Sequence, residues 1–314
     1  DELMQILALE CSAEALRQAA ELGALAKVLP GLATDQGALA AGIELLGMLD
    51  DLGPDAKMEA GAPVEGLAEI VQPHGAELWI HWEKRQAAGR ARWLMVKLAA
   101  LLRSLPEPGI GVKEVARRLC LSNNEISFVA STVRASRAAI LTESALPLDR
   151  LAIYRYYRQA GEAGVDGAIL LAAVASSEGE RLKQGWRLRR AEKLLAAWYH
   201  QHDELVAPPE LVSGRDLTQR FSLAPGPQIG HLLHQVREAQ VVGQVATRDQ
   251  ALAYLSTLIE QDTPRAPALG LSVIGAVACQ RRAAALSPER VAPSEPERPP
   301  LSARVAAPAP VGRS

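Results

Sequence analysis

Aromatic residues are scarce in this 314-residue sequence, at 4%, and long runs of β-branched residues are missing. No alternation of strand-like and helix-like segments is visible, which argues against a fold built on a sheet. Hydrophobic residues still make up 48% of the chain, with alanine and leucine abundant. Both are strong helix formers, so the composition predicts an all-α protein with a real core.

Cysteines are few, and the three that occur, Cys11, Cys120 and Cys279, lie far apart. Their odd number and the lack of any CxxC or Cys/His ligand spacing argue against a disulfide framework and against a zinc site. We therefore expect free, buried thiols in a reducing compartment, the cytoplasm.

No segment has the features of a signal peptide. The longest apolar run, residues 268–279, is well short of the ~20 residues that span a bilayer. The sequence thus predicts no contact with a membrane.

Charge is divided unevenly along the chain, although the net charge is only −2. Residues 1–83 hold fifteen acidic and three basic side chains, whereas the remainder holds twenty-one acidic and thirty-one basic ones. Such asymmetry predicts that only the second part faces a polyanion. The alternative is an acidic and a basic surface that attract each other or face solvent.

Residues 225–255 have the clearest local pattern. Pro225-Gly226-Pro227 leads into an apolar stripe at helical spacing, which Pro227 can begin without losing a hydrogen bond. Thr247 and Gln250 then form a capping-box pattern that opens a second helix. The segment predicts a helical hairpin.

A family resemblance rests on this region. Residues 208–252, "PPELVSGRDLTQRFSLAPGPQIGHLLHQVREAQVVGQVATRDQAL", resemble the C-terminal region of bacterial tRNA nucleotidyltransferases and poly(A) polymerases. The matching positions are Gly214, Asp216, Leu217, Pro225, Gly226, Pro227, Gly230 and Thr247. Residues 154–172 and 14–32 resemble further helices of that family, so the resemblance covers about residues 1–258.

The resemblance implies an array of helical bundles. Its expected parts are neck-like helices at 1–33, a degenerate HD-like helical domain at 34–176 and a tail-like RNA-binding region at 177–262. A low-complexity, Pro/Ala-rich disordered tail is expected at 263–314. The chain begins at Asp1 inside a helical pattern without an initiator Met, so we expect it to be a piece of a longer protein.

Catalysis in this family belongs to a head domain that precedes these helices. The resemblance implies that the head holds magnesium on paired aspartates and uses CTP or ATP. Neither a GGxxxxD nor a DxD pattern occurs in these 314 residues. We therefore expect no catalytic residue and no cofactor in this chain, and an N-terminal nucleotidyltransferase head in the intact protein.

Metal ligands of an HD-type domain are also missing at the positions that the resemblance assigns to them. Arg103 and Ser104 stand where His and Asp are expected, and Val174 stands near the later acidic ligand. An arginine and a serine cannot replace an imidazole and a carboxylate at a divalent ion. We interpret Glu44, Asp50 and Asp51 as a helix-end surface rather than as catalytic carboxylates.

Candidate RNA contacts come from three basic groups, all expected to meet backbone phosphates of tRNA or another structured RNA. Their members are Arg155 and Arg158 beside two tyrosines; Lys183, Arg187 and Arg190; and Arg215, Arg220 and Arg237. The alternative for each group is a solvated helix face over the core.

Three functions stay open on the sequence alone. The chain is the RNA-positioning region of a tRNA nucleotidyltransferase or poly(A) polymerase, a non-catalytic helical scaffold, or an HD-type phosphohydrolase. Arg103 and Ser104 weigh against the last. With neither head carboxylates nor HD ligands, the chain is expected to be inactive alone.

Overall fold

The structure, a computed structural model, describes residues 2–52, 66–86, 89–105, 111–141, 148–177 and 181–262. The described residues contain no strand, only an isolated bridge between Arg85 and Ala91, which confirms the all-α prediction. The predicted disordered tail at 263–314 lies outside them. The helices are α1 (Glu2–Leu7), α2 (Ser12–Glu21), α3 (Leu25–Val28), α4 (Pro30–Ala33), α5 (Gln36–Asp50), α6 (Leu67–Val71), α7 (Gly75–Glu83), α8 (Arg92–Leu102), α9 (Val112–Arg118), α10 (Asn123–Leu141), α11 (Arg150–Ala160), α12 (Ala163–Ser177), α13 (Arg181–His200), α14 (Gly214–Phe221), α15 (Pro227–Val241) and α16 (Arg248–Asp262).

The main core is built around two largely apolar helices that are buried on every side. In α8, all residues from Met95 to Leu102 are buried, and α12 is buried in the same way from Ala163 to Ala173. A helix that is hydrophobic all round must be covered on all sides. Helix α12 packs between α10 and α13, and α8 packs on α5 and α10.

Close approach of α5 to α8 depends on a glycine. A Cβ atom at Gly42 would lie 2.7 Å from the carbonyl oxygen of Leu101, whereas one at Gly47, a turn and a half further along α5, would lie 3.6 Å from the Ala13 Cβ. We expect Gly42→Ala to lower the free energy of unfolding by about 1–3 kcal/mol, because a backbone oxygen cannot move aside. Gly47→Ala in the same helix should raise it by about 0.5–1 kcal/mol. Urea unfolding checks both, and equal effects would contradict this account of the crossing.

Two helix caps differ from what residue type predicts. By residue type, Ser12 is expected to cap α2, and Asn123 or Asn124 is expected to cap α10. Instead, Cys11 precedes α2 without a side-chain cap, and Ser122 caps α10 through a reciprocal pair of bonds with Glu125. Ser12 turns inward because its hydroxyl donates to Asp50.

The C-terminal helices form a second, smaller core, and the predicted hairpin is confirmed. Pro227 occupies the first turn of α15, and Thr247 and Gln250 exchange the two capping bonds that open α16. Ile229, Leu232 and Val236 are buried in this core.

Helix α11 connects the two cores. Its Arg150 donates from Nε to the Val241 carbonyl oxygen at the end of α15, at 2.7 Å. Arg155 donates to both carboxylate oxygens of Glu238 on α15, at 2.7 and 2.9 Å. These bonds set the position of α15 against α11.

Three further expectations concern the thiols, membrane spans and domain boundaries. The expectation of buried thiols is wrong for Cys11 and Cys120, which are exposed, while Cys279 lies outside the described residues. Across the described ranges, no helix is long and apolar enough to cross a bilayer. The boundaries at 33/34 and 176/177 remain predictions, and one continuous core extends across both.

Candidate nucleic-acid interface

The basic residues of α13 are divided between an exposed and a buried face of the helix. Lys183 is exposed, but Arg190 has only 6% of its surface exposed and donates to the Ala139 carbonyl oxygen at 2.8 Å. Arg187 is half-buried, and its guanidinium lies 5.2 Å from the ring centre of Trp186. Burial lowers the pKa of Arg190, although a guanidinium stays charged.

Besides Lys183, the exposed basic residues among the described side chains of α13 are Arg189 and Lys193, which lie one turn apart. Neither belongs to the three predicted groups. The sequence contains a signal that Arg190 lies on the buried face of α13. Trp186, Arg190 and Leu194 recur every four residues, which places Arg190 on an apolar stripe.

Of the tyrosines beside Arg155 and Arg158, Tyr157 is buried and Tyr156 is half-buried, and both hydroxyls are bonded to the backbone. Tyr156 donates its hydroxyl to the Gly164 carbonyl oxygen and Tyr157 to the Leu194 carbonyl oxygen, each at 2.7 Å. Burial raises the pKa of both hydroxyls. They hold α11 against α12 and α13, and only Arg158 of this group is exposed without a close hydrogen-bonded partner in the described residues.

A cleft of about 300 Å³ brings two of the predicted residues together. Helices α10, α11 and α13 form it, with Arg155 and Arg190 both in its lining. We call it the basic cleft. Its other polar lining residues are Asp149, Tyr156 and Gln159.

The third predicted group lies on α14 and α15. Arg215 and Arg220 are exposed, and no ion pair to either occurs in the described part of the chain. Arg237 is paired with Glu210. A residue outside the prediction, Arg248, is paired with Asp216, whose pKa is lowered first by bonds from Ser213 and then by this arginine.

The positions expected to correspond to HD ligands are all partly buried. Arg103 donates from Nε to the Ser136 hydroxyl at 3.1 Å, while Ser104 and Val174 are partly buried. In the described ranges, no group of three or more His, Cys, Asp or Glu side chains is arranged to hold a metal ion. The degenerate HD-like domain stays a prediction.

Sequence reasoning missed a fully buried carboxylate, Asp166 on α12. It accepts from Arg92 at 2.7 and 3.0 Å and from the Trp82 indole at 3.1 Å, with the His81 ring 3.4 Å away. Burial raises its pKa, but the bond from His81 and the charge of Arg92 outweigh burial and lower it. The site is structural, since its oxygens face protein donors.

Asp50 is likewise not part of a helix-end surface. Its side chain is 9% exposed and lies 2.6 Å from the Lys97 ammonium, which is 3% exposed. Asp50 also accepts from the Ser12 hydroxyl and the Ala13 amide. It therefore ties α2 to α5 and α8, which corrects the sequence interpretation.

His74 lies in a buried stack of rings. It is 4% exposed, with its ring centre 4.8 Å from that of Tyr199 and 5.1 Å from that of His200. Burial and the neighbouring His200 lower the pKa of His74 below its usual 6.5, and Glu77 opposes them only in part.

We expect stability to fall as the pH drops below about 6.5, since the unfolded chain then binds a proton at His74 that the folded chain resists. His74→Phe should reduce the difference between urea midpoints at pH 7.5 and 5.5. The control is His231→Phe, an exposed position that should keep the wild-type difference. An unchanged difference in the His74 variant would refute the assignment.

A family model described as tRNA nucleotidyltransferase domain 2 matches residues 96–255, half of the chain. The chain belongs to the tRNA nucleotidyltransferase family. The match includes the basic cleft and the helices α14 and α15, and it ends within α16.

Individual tRNA nucleotidyltransferases are also similar. The A-adding enzyme of Deinococcus radiodurans is 26% identical over 241 residues, which covers 70% of this chain and 54% of that enzyme. The CC-adding enzyme of Synechocystis is 33% identical over 66 residues, 21% of this chain and 16% of the enzyme. The CC-adding enzyme of Thermus thermophilus is 31% identical over 111 residues, 35% and 24% respectively. The chain thus spans about half the length of the first of these relatives.

Proposed function

We propose that this chain is the RNA-positioning helical region of a tRNA nucleotidyltransferase and that a head domain, N-terminal in the intact protein, adds nucleotides. One observation supports this most strongly. The family match at 96–255 falls on the helices that carry the exposed basic residues. Among them are Arg158, Arg189, Lys193, Arg215 and Arg220.

Phosphate binding is the chemistry that these side chains offer. Exposed guanidinium and ammonium groups neutralise RNA phosphates and release counterions, which fixes the position of a folded RNA without reading its sequence. Residues 1–83 carry far more acidic than basic side chains and repel the same polyanion. The RNA therefore contacts the part of the chain after residue 83, and tRNA is the partner that the family points to.

Magnesium and CTP or ATP belong to the head in this proposal. In the described part of the chain, the buried carboxylates do not fit a hydrated magnesium ion, because Asp166 is paired with Arg92, Asp50 with Lys97 and Glu125 with Arg90. We derive no metal-dependent step from these residues.

Binding of tRNA across a salt series tests the proposal. With about four phosphate contacts, the logarithm of the association constant should fall against the logarithm of salt concentration with a slope of about −3. Arg215→Ala with Arg220→Ala should weaken binding and reduce the steepness of that slope by about 2. Fluorescence anisotropy with labelled tRNA measures both quantities.

Lys27→Ala is the matched control, because Lys27 is an exposed basic residue in the acidic part of the chain. It should leave affinity and slope unchanged. No association at low salt would instead favour a helical scaffold without an RNA role.

A further inference from the structure

The basic cleft has the dimensions of a site for one small ligand. Its volume of about 300 Å³ is at the lower end for pockets that bind small molecules. Apolar walls come from Ala138 and Ala139 on α10, Leu151 and Ala152 on α11 and Leu194 on α13. Alanine side chains are short, so a flat group has room between these walls. A volume of about 300 Å³ is too small for a double helix.

Two arginines, one buried and one exposed, place positive charge in the cleft. Arg190 is 94% buried by its neighbours, and its bond to the Ala139 carbonyl oxygen fixes it in the lining. The side chain of Arg155 is 57% exposed, and Glu238 holds it in place. The carboxylate of Asp149 is already occupied, since it accepts from the Ala152 amide and caps α11. The lining thus contains two guanidinium groups and one engaged carboxylate, and Glu238, outside the lining, pairs with Arg155.

A neutral polar group completes the lining. Gln159 is exposed, and its side-chain amide makes no hydrogen bond among the described residues. An amide carries both donors and an acceptor, so it can pair with the edge of any nucleobase. The ring of Tyr156 is fixed by the bond from its hydroxyl to Gly164.

We propose that the basic cleft binds one unpaired nucleotide of the RNA. The flat base lies between the alanine and leucine walls, Gln159 pairs with its edge, and Arg155 contacts its phosphate. Proteins recognise single-stranded RNA by this combination of an apolar or planar surface, hydrogen bonds to the base and a cationic contact to the backbone. The inference rests on the proposed function, because it adds a nucleotide site to a surface that binds structured RNA.

Two RNA hairpins that differ in one nucleotide test the inference on the full chain. The first has a blunt stem, and the second has one unpaired 2-aminopurine nucleotide bulged from the same stem. Wild-type protein should bind the bulged hairpin about fivefold to tenfold more tightly, as expected for stacking one base. Anisotropy gives the affinities, and 2-aminopurine fluorescence reports whether the base has moved into the cleft.

Ala138→Phe fills the cleft and should reduce this preference to less than twofold without changing affinity for the blunt hairpin. Its matched control is Ala196→Phe, because Ala196 is a half-buried alanine that lines a different cavity, of about 320 Å³, beside α13. The control should keep the wild-type preference. Thermal melting checks that both variants fold.

Gln159→Ala provides a second variant at an exposed position that folding does not depend on, and it should lower the preference at least twofold. Equal binding of the two hairpins by wild type, or a preference that survives both Ala138→Phe and Gln159→Ala, would overturn the nucleotide site. The proposed function stands in that case if the blunt hairpin binds in a salt-dependent way. Failure of both hairpins to bind at low salt would overturn the proposed function and the cleft together.

Discussion

Replacing Asp166 with alanine lowers the free energy of unfolding by about 3–5 kcal/mol, the range for breaking a buried ion pair from one side. The variant leaves the charge of Arg92 inside the core, where its side chain is 5% exposed. The Trp82 indole also loses its acceptor. Because a whole domain has only about 5–15 kcal/mol of stability, this loss is a large fraction of the total.

The same arginine supplies the control. Arg92 also pairs with Glu162 at 3.0 Å, but the side chain of Glu162 is 62% exposed. Solvent screens that pair, so Glu162→Gln should cost less than about 1 kcal/mol. Urea unfolding of both variants measures the difference. Similar losses would mean that burial of Asp166 does not determine its contribution.

Replacing Lys97 with methionine should cost about 3 kcal/mol, the second large effect that we expect. Asp50 would remain 9% exposed and charged, with only the Ser12 hydroxyl and the Ala13 amide as partners. The Leu9 carbonyl oxygen would lose the bond that Lys97 donates at 2.9 Å.

A double-mutant cycle separates the ion pair from packing. Asp50→Asn combined with Lys97→Met removes both charges, so the double variant should lose less stability than the sum of the single variants. A coupling of at least about 1 kcal/mol is expected. Strict additivity of the two unfolding free energies would show that the pair is not coupled in the folded protein.

Local signals in the sequence predict much of the helical framework. The hairpin of α15 and α16 follows from Pro227, the apolar stripe after it and the capping pair Thr247 and Gln250, all within about twenty-five residues. The apolar run before Leu102 likewise predicts a buried helix. Each of these features depends on interactions between near neighbours in the chain.

Partners distant in sequence could not be predicted in this way. Asp50 and Lys97, or Arg92 and Asp166, meet only because α5, α8 and α12 pack together. A partial signal was present, because a single charge inside an otherwise apolar helix, such as Lys97 in "RWLMVKLAALL", must be paired when that helix is buried. The sequence gives no indication of which partner it finds.

The residues of the candidate site also differ in whether local sequence patterns could predict their exposure. Exposed Arg158, Arg215 and Arg220 lie on helix faces that the local pattern identifies. Arg190 turned out to be buried and Arg155 to be held by Glu238, since those outcomes depend on how α11 and α13 meet their neighbours. The basic cleft is a product of that packing.

Photocrosslinking of tRNA to the chain tests RNA positioning most directly. Transfer RNA carrying 4-thiouridine throughout is irradiated with the full chain, and mass spectrometry identifies the crosslinked peptides. We predict crosslinks in peptides from α11, α13 and α14 and none in the acidic helices α1 to α5. Crosslinks concentrated in α1 to α5, or none at a tRNA concentration that saturates binding, would contradict the account.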